Sequence, residues 1–268
     1  MSKDHRLAVI TGASSGIGLA YAEKLAERGY DLILVARRRN RLEEIAHQIQ
    51  SKTARSVEPF VADLADTKDL SRVETLLAQR ADVDVLVNNA GLGALGPTSS
   101  VTADALDNLI KINVLALTRL THAVLPGLLQ RNSGCIVNIA SMIAVMPTPS
   151  GAGYSASKAY VLNFTRSLQM ELSKTNVLVQ AVLPGPVRTE FFQASGMAKA
   201  PFPDELFMSP EELVNSALLS LDRRELICFP SLENEAHWSA FEDARIALSR
   251  ALMQSGRPAT RYAGNNPA

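Results

Sequence analysis

Cysteine and tryptophan are scarce in this sequence of 268 residues, with two of the first and one of the second. Cys135 and Cys228 both fall in strand-like apolar runs, with no CxxC pair and no metal-ligand spacing. That excludes a disulfide framework and a cysteine-based metal site, and reads as two buried free thiols. The four histidines, among them His5, His47 and His122, show no ligand spacing either, so no metal is expected. Net charge is also missing: Lys plus Arg and Asp plus Glu are both 27, which gives no support to a nucleic-acid or anionic-membrane partner. Long apolar runs are lacking. The longest candidate, VLALTRLTHAVLPGLL at 114–129, is interrupted by Arg119 and His122 and falls short of the roughly 18 uninterrupted residues of a membrane span. The first apolar run begins after MSKDHR, which is too short for a signal peptide, and the expectation is a cytoplasmic protein.

What is present is a globular composition, 47% hydrophobic and 20% charged, with ample material for a core. LAVIT (7–11) reads as a strand, GASSGIG (12–18) as a turn, and LAYAEKLAERGY as a helix by its apolar spacing. Strand, glycine-rich turn and helix in this order make a phosphate-binding candidate, because backbone N–H groups and the helix N-terminus converge there. Gly12, Gly16 and Gly18 are spaced GxxxGxG, which differs from the GxGxxG dinucleotide fingerprint. DLILVARRR (31–39) supplies the next strand, followed by Arg37, Arg38 and Arg39 with no acid. An acid there would take a ribose 2′-hydroxyl, whereas an Arg suits a 2′-phosphate, so the reading is NADP(H) preferred, NAD(H) also admitted, with Arg37 the main contact. Arg39 and Arg41 read as a solvated basic helix start.

Strands and helices then alternate. SVEPFVADL and VDVLVNNAG are strands whose ends place Asp63 and Asn88 on the ligand side; SGCIVNIAS and VLVQAVLPGPV are two more. The 102–131 stretch reads as one long helix, bent by Pro126 and carrying Asn113 among apolar neighbours, where an Asn needs a partner for its side chain. Such alternation implies right-handed crossovers and a parallel sheet with helices on both faces. A single domain is expected over 1–253. It includes a lid at 190–210 and a C-terminal helix at 232–253, with a flexible tail at 254–268.

The chemistry concentrates between Ser141 and Lys158. Tyr154 follows Ser141 by thirteen residues and Lys158 follows Tyr154 by four, which puts the phenol and the ammonium on one helix face. An ammonium beside a phenol lowers its pKa from about 10 towards the range useful for general acid–base catalysis. A Tyr and a Lys four apart also occur in ordinary helix starts, so the pair gains meaning from its surroundings.

Those surroundings form a pattern. TGASSGIG, Ala-Arg after the second strand, Asp63-Leu64, NNAG at 88–91, Asn113, Ser141, YSASK and PGPVRT at 184–189 follow in order. Together, over residues 7 to roughly 230, they resemble the short-chain dehydrogenase/reductase family. The resemblance implies a doubly wound, Rossmann-type parallel sheet of seven strands, a nicotinamide cofactor and a catalytic tetrad of Asn113, Ser141, Tyr154 and Lys158. It implies that Tyr154 exchanges the proton of a carbonyl or alcohol oxygen, and that Ser141 orients that oxygen. Lys158 would lower the Tyr154 pKa and bind the nicotinamide ribose, and Asn113 would hold a water behind Lys158. Cofactor contacts would come from Gly12, Ser14, Ser15, Gly16, Ile17 and Gly18, from Asp63 and Leu64 at the adenine, and from Asn88, Ala90 and Gly91 on the ribose side. Val187 and Thr189 would meet the carboxamide. Homodimers or homotetramers through the helices carrying Asn113 and Tyr154 are implied as well.

Specificity should reside in 190–210, which is rich in Phe191, Phe192, Met197, Phe202, Phe207 and Met208, with Ala94, Leu95, Met142, Ile143 and Val145 nearby. An oily lid suits an apolar carbonyl or alcohol substrate; equally, these side chains could pack the lid onto its own sheet. The function expected is carbonyl reductase or alcohol dehydrogenase. The alternatives are a 3-oxoacyl-thioester reductase of lipid metabolism and, in a different class, a non-catalytic NADP-binding regulatory protein. Sugar-nucleotide epimerisation is disfavoured by the turn spacing and the chain length. His237 and Trp238 are read as having a plain core or surface role in preference to a subunit contact.

Overall fold

Seven apolar runs become seven parallel strands: β1 (Arg6–Thr11), β2 (Tyr30–Ala36), β3 (Val57–Val61), β4 (Val83–Asn88), β5 (Cys135–Ile139), β6 (Leu178–Val182) and β7 (Ile227–Cys228). The computed structural model describes residues 6–197 and 201–262. The sheet order is β3-β2-β1-β4-β5-β6-β7, with every neighbour parallel. The strand order reverses between β1 and β4. Ligands bind at such a switch point, beyond the C-terminal strand ends.

Because β1 and β2 are buried on both faces, they read as continuous apolar runs. One face is covered by α1 (Gly16–Glu27), α2 (Arg39–Thr53) and α8 (Pro210–Asp222), which bring Tyr21, Leu42, Ile45 and Val214 onto Ile10 and Leu34. The other is covered by α3 (Thr67–Gln79), α5 (Leu117–Arg131) and α6 (Ala152–Glu171), with Leu70, Leu120, Val124 and Leu168 against Val9 and Leu86. Asp66 caps α3 by accepting from the N–H groups of Lys68 and Asp69. Ser209 and Glu212 form a capping box that starts α8 at Pro210.

The long helix expected at 102–131 departs from α geometry at a place other than Pro126. It comprises α4 (Ala103–Ile110), a π-helical stretch Lys111–Ala116, and α5, which runs on through Pro126. Asn113 sits in the π-helical turn, a device found most often at functional sites. By length and composition this helix is apolar enough to cross a membrane; here 44% of its most apolar window is buried inside the fold and Arg119 pairs with Glu74 of α3.

A polar chain crosses the core beneath the site. Asn88 donates to Thr121 (3.1 Å) and to Asn138 (2.9 Å), and Asn138 donates to Thr165 (2.9 Å). These bonds tie β4 and β5 to α5 and to α6, the helix that carries Tyr154 and Lys158. The compact unit holding the sheet ends at Pro230, and a second unit starts at Ser231. The second contains α9 (Ala236–Leu252), in which the Trp238 ring stacks on Phe241 at 5.3 Å and His237 is exposed. The expected tail overlaps the described residues only up to Tyr262; His5, 198–200 of the lid and 263–268 lie outside them.

Asn138→Ala should cost about 2–3 kcal/mol in urea unfolding, because it strands a buried donor of Asn88 and the hydroxyl of Thr165. A loss below about 0.5 kcal/mol would mean that the chain contributes nothing to holding the site elements together.

Candidate active site

The site begins with backbones packed too closely for side chains. Gly12 and Gly16 have φ of +65° and +56°, a region that favours glycine. A Cβ on Gly12 would lie 2.8 Å from Asn89 Nδ2, one on Gly16 would lie 2.8 Å from Thr189 Cγ2, and one on Gly18 would collide with the Gly12 carbonyl oxygen. The turn is held to β4 by a clasp. Thr11 Oγ1 donates to Val87 O (3.2 Å) and accepts from the N–H groups of Asn89 and Ala90 (both 3.0 Å), while Asn89 Nδ2 donates to Thr11 O (2.9 Å) and Gly12 O (3.2 Å).

Above the turn opens a cleft of about 970 Å³, lined by Gly12, Ser14, Ser15, Gly16 and Ile17, by Arg37, Arg38, Asp63 and Leu64, and by Asn89, Ala90 and Gly91. Ser141, Tyr154, Lys158, Val187 and Thr189 line it too. Its size suits a ligand of cofactor dimensions plus a small substrate. The glycine turn, the open start of α1 and the Arg pair provide what a dinucleotide phosphate needs, so these residues fit a nicotinamide dinucleotide.

Three expected residues sit elsewhere. Asn88 does not reach the cleft: it shares the face of Leu86, and its amide is turned to Thr121 and Asn138. Its neighbour Asn89 faces the turn instead, an alternation that two successive Asn residues conceal in the sequence. Gly18 acts beneath the turn, where it admits α1 to Gly12. Asn113 lies behind the cleft wall, where its amide accepts from Leu92 N–H (2.8 Å) and donates to Leu92 O (2.9 Å) and Ser157 Oγ (3.0 Å). One lone pair of Asn113 Oδ1 remains for a further donor such as the water the resemblance implies. A Cβ on Gly91 would sit 3.5 Å from Asn113 Oδ1 and 3.6 Å from Lys158 Nζ, so these two groups flank one spot.

Arg38, not singled out from the sequence, lines the cleft beside the glycine turn. Its guanidinium donates to Ser14 Oγ (3.0 Å), Ser14 O (3.3 Å) and Ser15 Oγ (3.0 Å), which fixes it beside the turn. Arg37 lines the cleft too, with a 3.9 Å ion pair to Asp63. Arg39 and Arg41 pair with Glu43 and Glu44 on the helix surface, as a solvated start requires.

Tyr154 and Lys158 project from α6, and Ser141 caps the short 3₁₀ turn Met142–Ala144 that follows β5. The Lys158 ammonium donates to Ile139 O at 2.7 Å and lies 5.8 Å from the Tyr154 ring centre. The expected lowering of the Tyr154 pKa is not found. Burial pushes the phenol up to about 12, and the hydrogen bond with Ser141 only partly opposes it. Burial also pushes Lys158 down to about 8. Desolvation disfavours both charged forms, which keeps Tyr154 a protonated donor over the whole neutral range.

The lid side chains divide between the two roles weighed for them. Phe191, Phe192, Met197 and Phe202 line the cleft beside Leu95, Met142 and Ile143, and Phe191 lies 5.3 Å from the Tyr154 ring. Phe207 instead packs on Phe192 and Phe202, and Met208 joins the core of the α8 face. Ala94 and Val145 are not among the lining residues.

The family model described as short chain dehydrogenase matches residues 6–200. Among solved structures, a short-chain dehydrogenase from Sphingobium yanoikuyae in complex with NADPH is 41% identical, with a TM-score of 0.92 over 96% of this chain and 100% of that one. The bulky-bulky ketone specific alcohol dehydrogenase from Comamonas testosteroni is 36% identical, with a TM-score of 0.88 over 97% of this chain and 100% of its own. Two curated relatives cover less. The very-long-chain 3-oxoacyl-CoA reductase of Anas platyrhynchos is 35% identical over 79% of this chain and 67% of its own length. The human inactive hydroxysteroid dehydrogenase-like protein 1 is 37% identical over 69% of this chain and 56% of its own.

Lys158 gives the site a stability signature. Its unfolded value, near 10.5, lies above its folded value of about 8, so the unfolded chain binds the extra proton in between. The penalty is full below pH 8 and fades as pH rises towards 10.5. Cofactor-free wild type should therefore gain about 1–2 kcal/mol over Lys158→Met between pH 7.5 and 9.5 in urea unfolding. Parallel pH curves for the two proteins would show that Lys158 is not desolvated.

Proposed function

The chain belongs to the short-chain dehydrogenase/reductase family, NAD(P)-dependent oxidoreductases acting on CH–OH groups, and from that premise we propose that it interconverts apolar ketones and secondary alcohols with NADP(H). The observation that carries this reading is the placement of Tyr154, bonded to Ser141 and 5.8 Å from Lys158, in the same cleft as the glycine turn and the Arg37–Arg38 pair.

A bound nicotinamide would supply hydride to the carbonyl carbon in reduction, or accept it in oxidation. The Tyr154 hydroxyl donates its proton to the carbonyl oxygen as charge builds there, and Ser141 Oγ donates a second hydrogen bond to that atom. Lys158, anchored on Ile139 O, brings a positive charge to the same end of the cleft, stabilises the phenolate left behind and reaches the ribose. Asn113 holds the Ala90–Gly93 loop against α6 through Leu92 and Ser157. Arg38, backed by Ser14 and Ser15, takes the 2′-phosphate together with Arg37, and NADPH in the Sphingobium relative supports that preference.

The substrate end is oily: Leu95, Met142, Ile143, Phe191, Phe192 and Phe202 leave little to pair with a carboxylate. The Comamonas relative, specific for ketones bulky on both sides, supports a bulky lipophilic ketone. A second reading, reduction of a 3-oxoacyl thioester, draws on the Anas relative. The inactive human relative keeps the non-catalytic class in view, but a tetrad assembled around one cleft favours catalysis. Exposed Ile110, Leu115 and Leu129 on the helix of Asn113, and Tyr160 and Met170 on α6, support pairing of copies through these helices.

With NADPH, bulky aryl ketones should be reduced at least ten times more efficiently than pyruvate, and Tyr154→Phe should lower kcat by roughly 10²–10⁴-fold. Faster turnover of a 3-oxoacyl-CoA would transfer the assignment to the second reading; a Tyr154→Phe variant as active as wild type would end the catalytic one. In fluorescence titration, Arg38→Ala should weaken NADPH by about ten-fold or more while leaving NADH nearly unchanged. Equal binding of both cofactors by wild type would remove the NADP assignment.

A further inference from the structure

The segment that follows the last cleft strand is bound to the cofactor half of the cleft, not only to the substrate half. Thr189 rests on Gly16, where a Cβ would meet its Cγ2 at 2.8 Å. Ser195 and Phe191 rest on Gly93, where a Cβ would collide with them, and Ser195 Oγ donates to Phe191 O at 2.6 Å. Between these two anchors, Glu190 Oε2 accepts from Arg38 Nη1 at 3.3 Å, bridging 152 positions of sequence. Glu190 immediately precedes α7 (Phe191–Ala194), whose first residue lies against the Tyr154 ring.

Arg38 does not need Glu190 to stay in place. Ser14 and Ser15 already hold its Nε and Nη2, so the carboxylate takes the remaining face of the guanidinium. A 2′-phosphate on Arg38 would claim that face and repel the carboxylate, since a guanidinium prefers a doubly charged phosphate to a singly charged acid.

We propose that Glu190 is a cofactor-discriminating positioning residue: it latches the first turn of the lid to Arg38 when no 2′-phosphate is there, and is released when one binds. This rests on the NADP reading above. NADPH binding then has to displace the latch, whereas NADH leaves it closed. The lid that carries Phe191 over Tyr154 is freed by the phosphorylated cofactor and held shut with the other. The same cleft thereby reads the cofactor before it admits substrate.

The test uses full-length protein with Glu190→Gln, a near-isosteric change at an exposed side chain. Since the pair is solvent-exposed, the expected effect is modest: NADPH binding tightened by about two- to five-fold, NADH unchanged. The KM for NADPH should fall with kcat unchanged, as for an interaction lost on binding and absent from the chemistry. Hydrogen exchange of the 190–197 segment supplies a readout independent of activity. In wild type it should be faster with saturating NADPH than with saturating NADH, and in Glu190→Gln the two cofactors should give the same rate. Weaker NADPH binding by the variant would overturn the proposal and make Glu190 a support for Arg38. Equal exchange with both cofactors in a wild type that prefers NADPH would overturn it as well. If wild type shows no preference and Arg38→Ala changes nothing, the NADP reading itself has failed, which is a different result.

Discussion

The structure depends on an absence of volume between the turn after β1 and the end of β4. Gly18 lies so close to the Gly12 carbonyl and the Asn89 amide that one methyl group would push α1 off the sheet. That contact sets where α1 begins, and therefore where its N–H groups point. It also fixes Asn89, whose amide bonds to Thr11 and Gly12 and leads the chain into Ala90, Gly91 and Leu92. Leu92 is in turn held by Asn113, and Asn113 by Ser157 of α6. One glycine contact thus reaches the helix bearing Tyr154 and Lys158 through packing, the 89–92 chain segment and the hydrogen bonds of Asn113.

Along that path the electrostatics are dominated by burial. Two groups that attract each other when charged are placed where neither charge is welcome, so the phenol is driven up and the ammonium down. The Ile139 carbonyl keeps Lys158 oriented, and the Ser141 hydroxyl favours the phenolate only partly. With its phenol protonated, Tyr154 can give a proton, the role that the proposed carbonyl reduction asks of it. Taking a proton from an alcohol needs additional positive charge near the phenol.

Much of this was legible because the signals are local. Alternating apolar strands and periodic helices announce a parallel sheet covered on both faces, and Asn113 stood out because an interior helical Asn requires partners, which Leu92 and Ser157 provide. Two pairs of like neighbours were harder to read. Asn88 and Asn89 are chemically identical, and which one faces the turn depends on the strand's register, here set by pairing of Asn88 with Asn138. Arg37 and Arg38 both line the cleft, and only contacts from elsewhere in the chain tell their positions apart: Asp63 beside Arg37, Ser14 and Ser15 beside Arg38. The direction of the Tyr154 shift was illegible for another reason. A four-residue spacing shows that an ammonium is near, but not that both groups have lost their water, which depends on side chains brought in from β5, the Gly91 loop and the lid.

The lid shows how one segment reconciles the two readings its composition allowed. Phe207 and Met208 pack it down, and the bridge between Val187 and Met208 closes its base. Phe191 and Phe202 are left to face the cleft. An oily loop with no internal packing would collapse into the space meant for substrate, because its apolar surface has nowhere else to go. By burying part of that surface in the edge-to-face cluster of Phe192, Phe202 and Phe207, the chain keeps the remainder available at the site. Packing and recognition are therefore not competing explanations of this sequence: the first is the condition for the second.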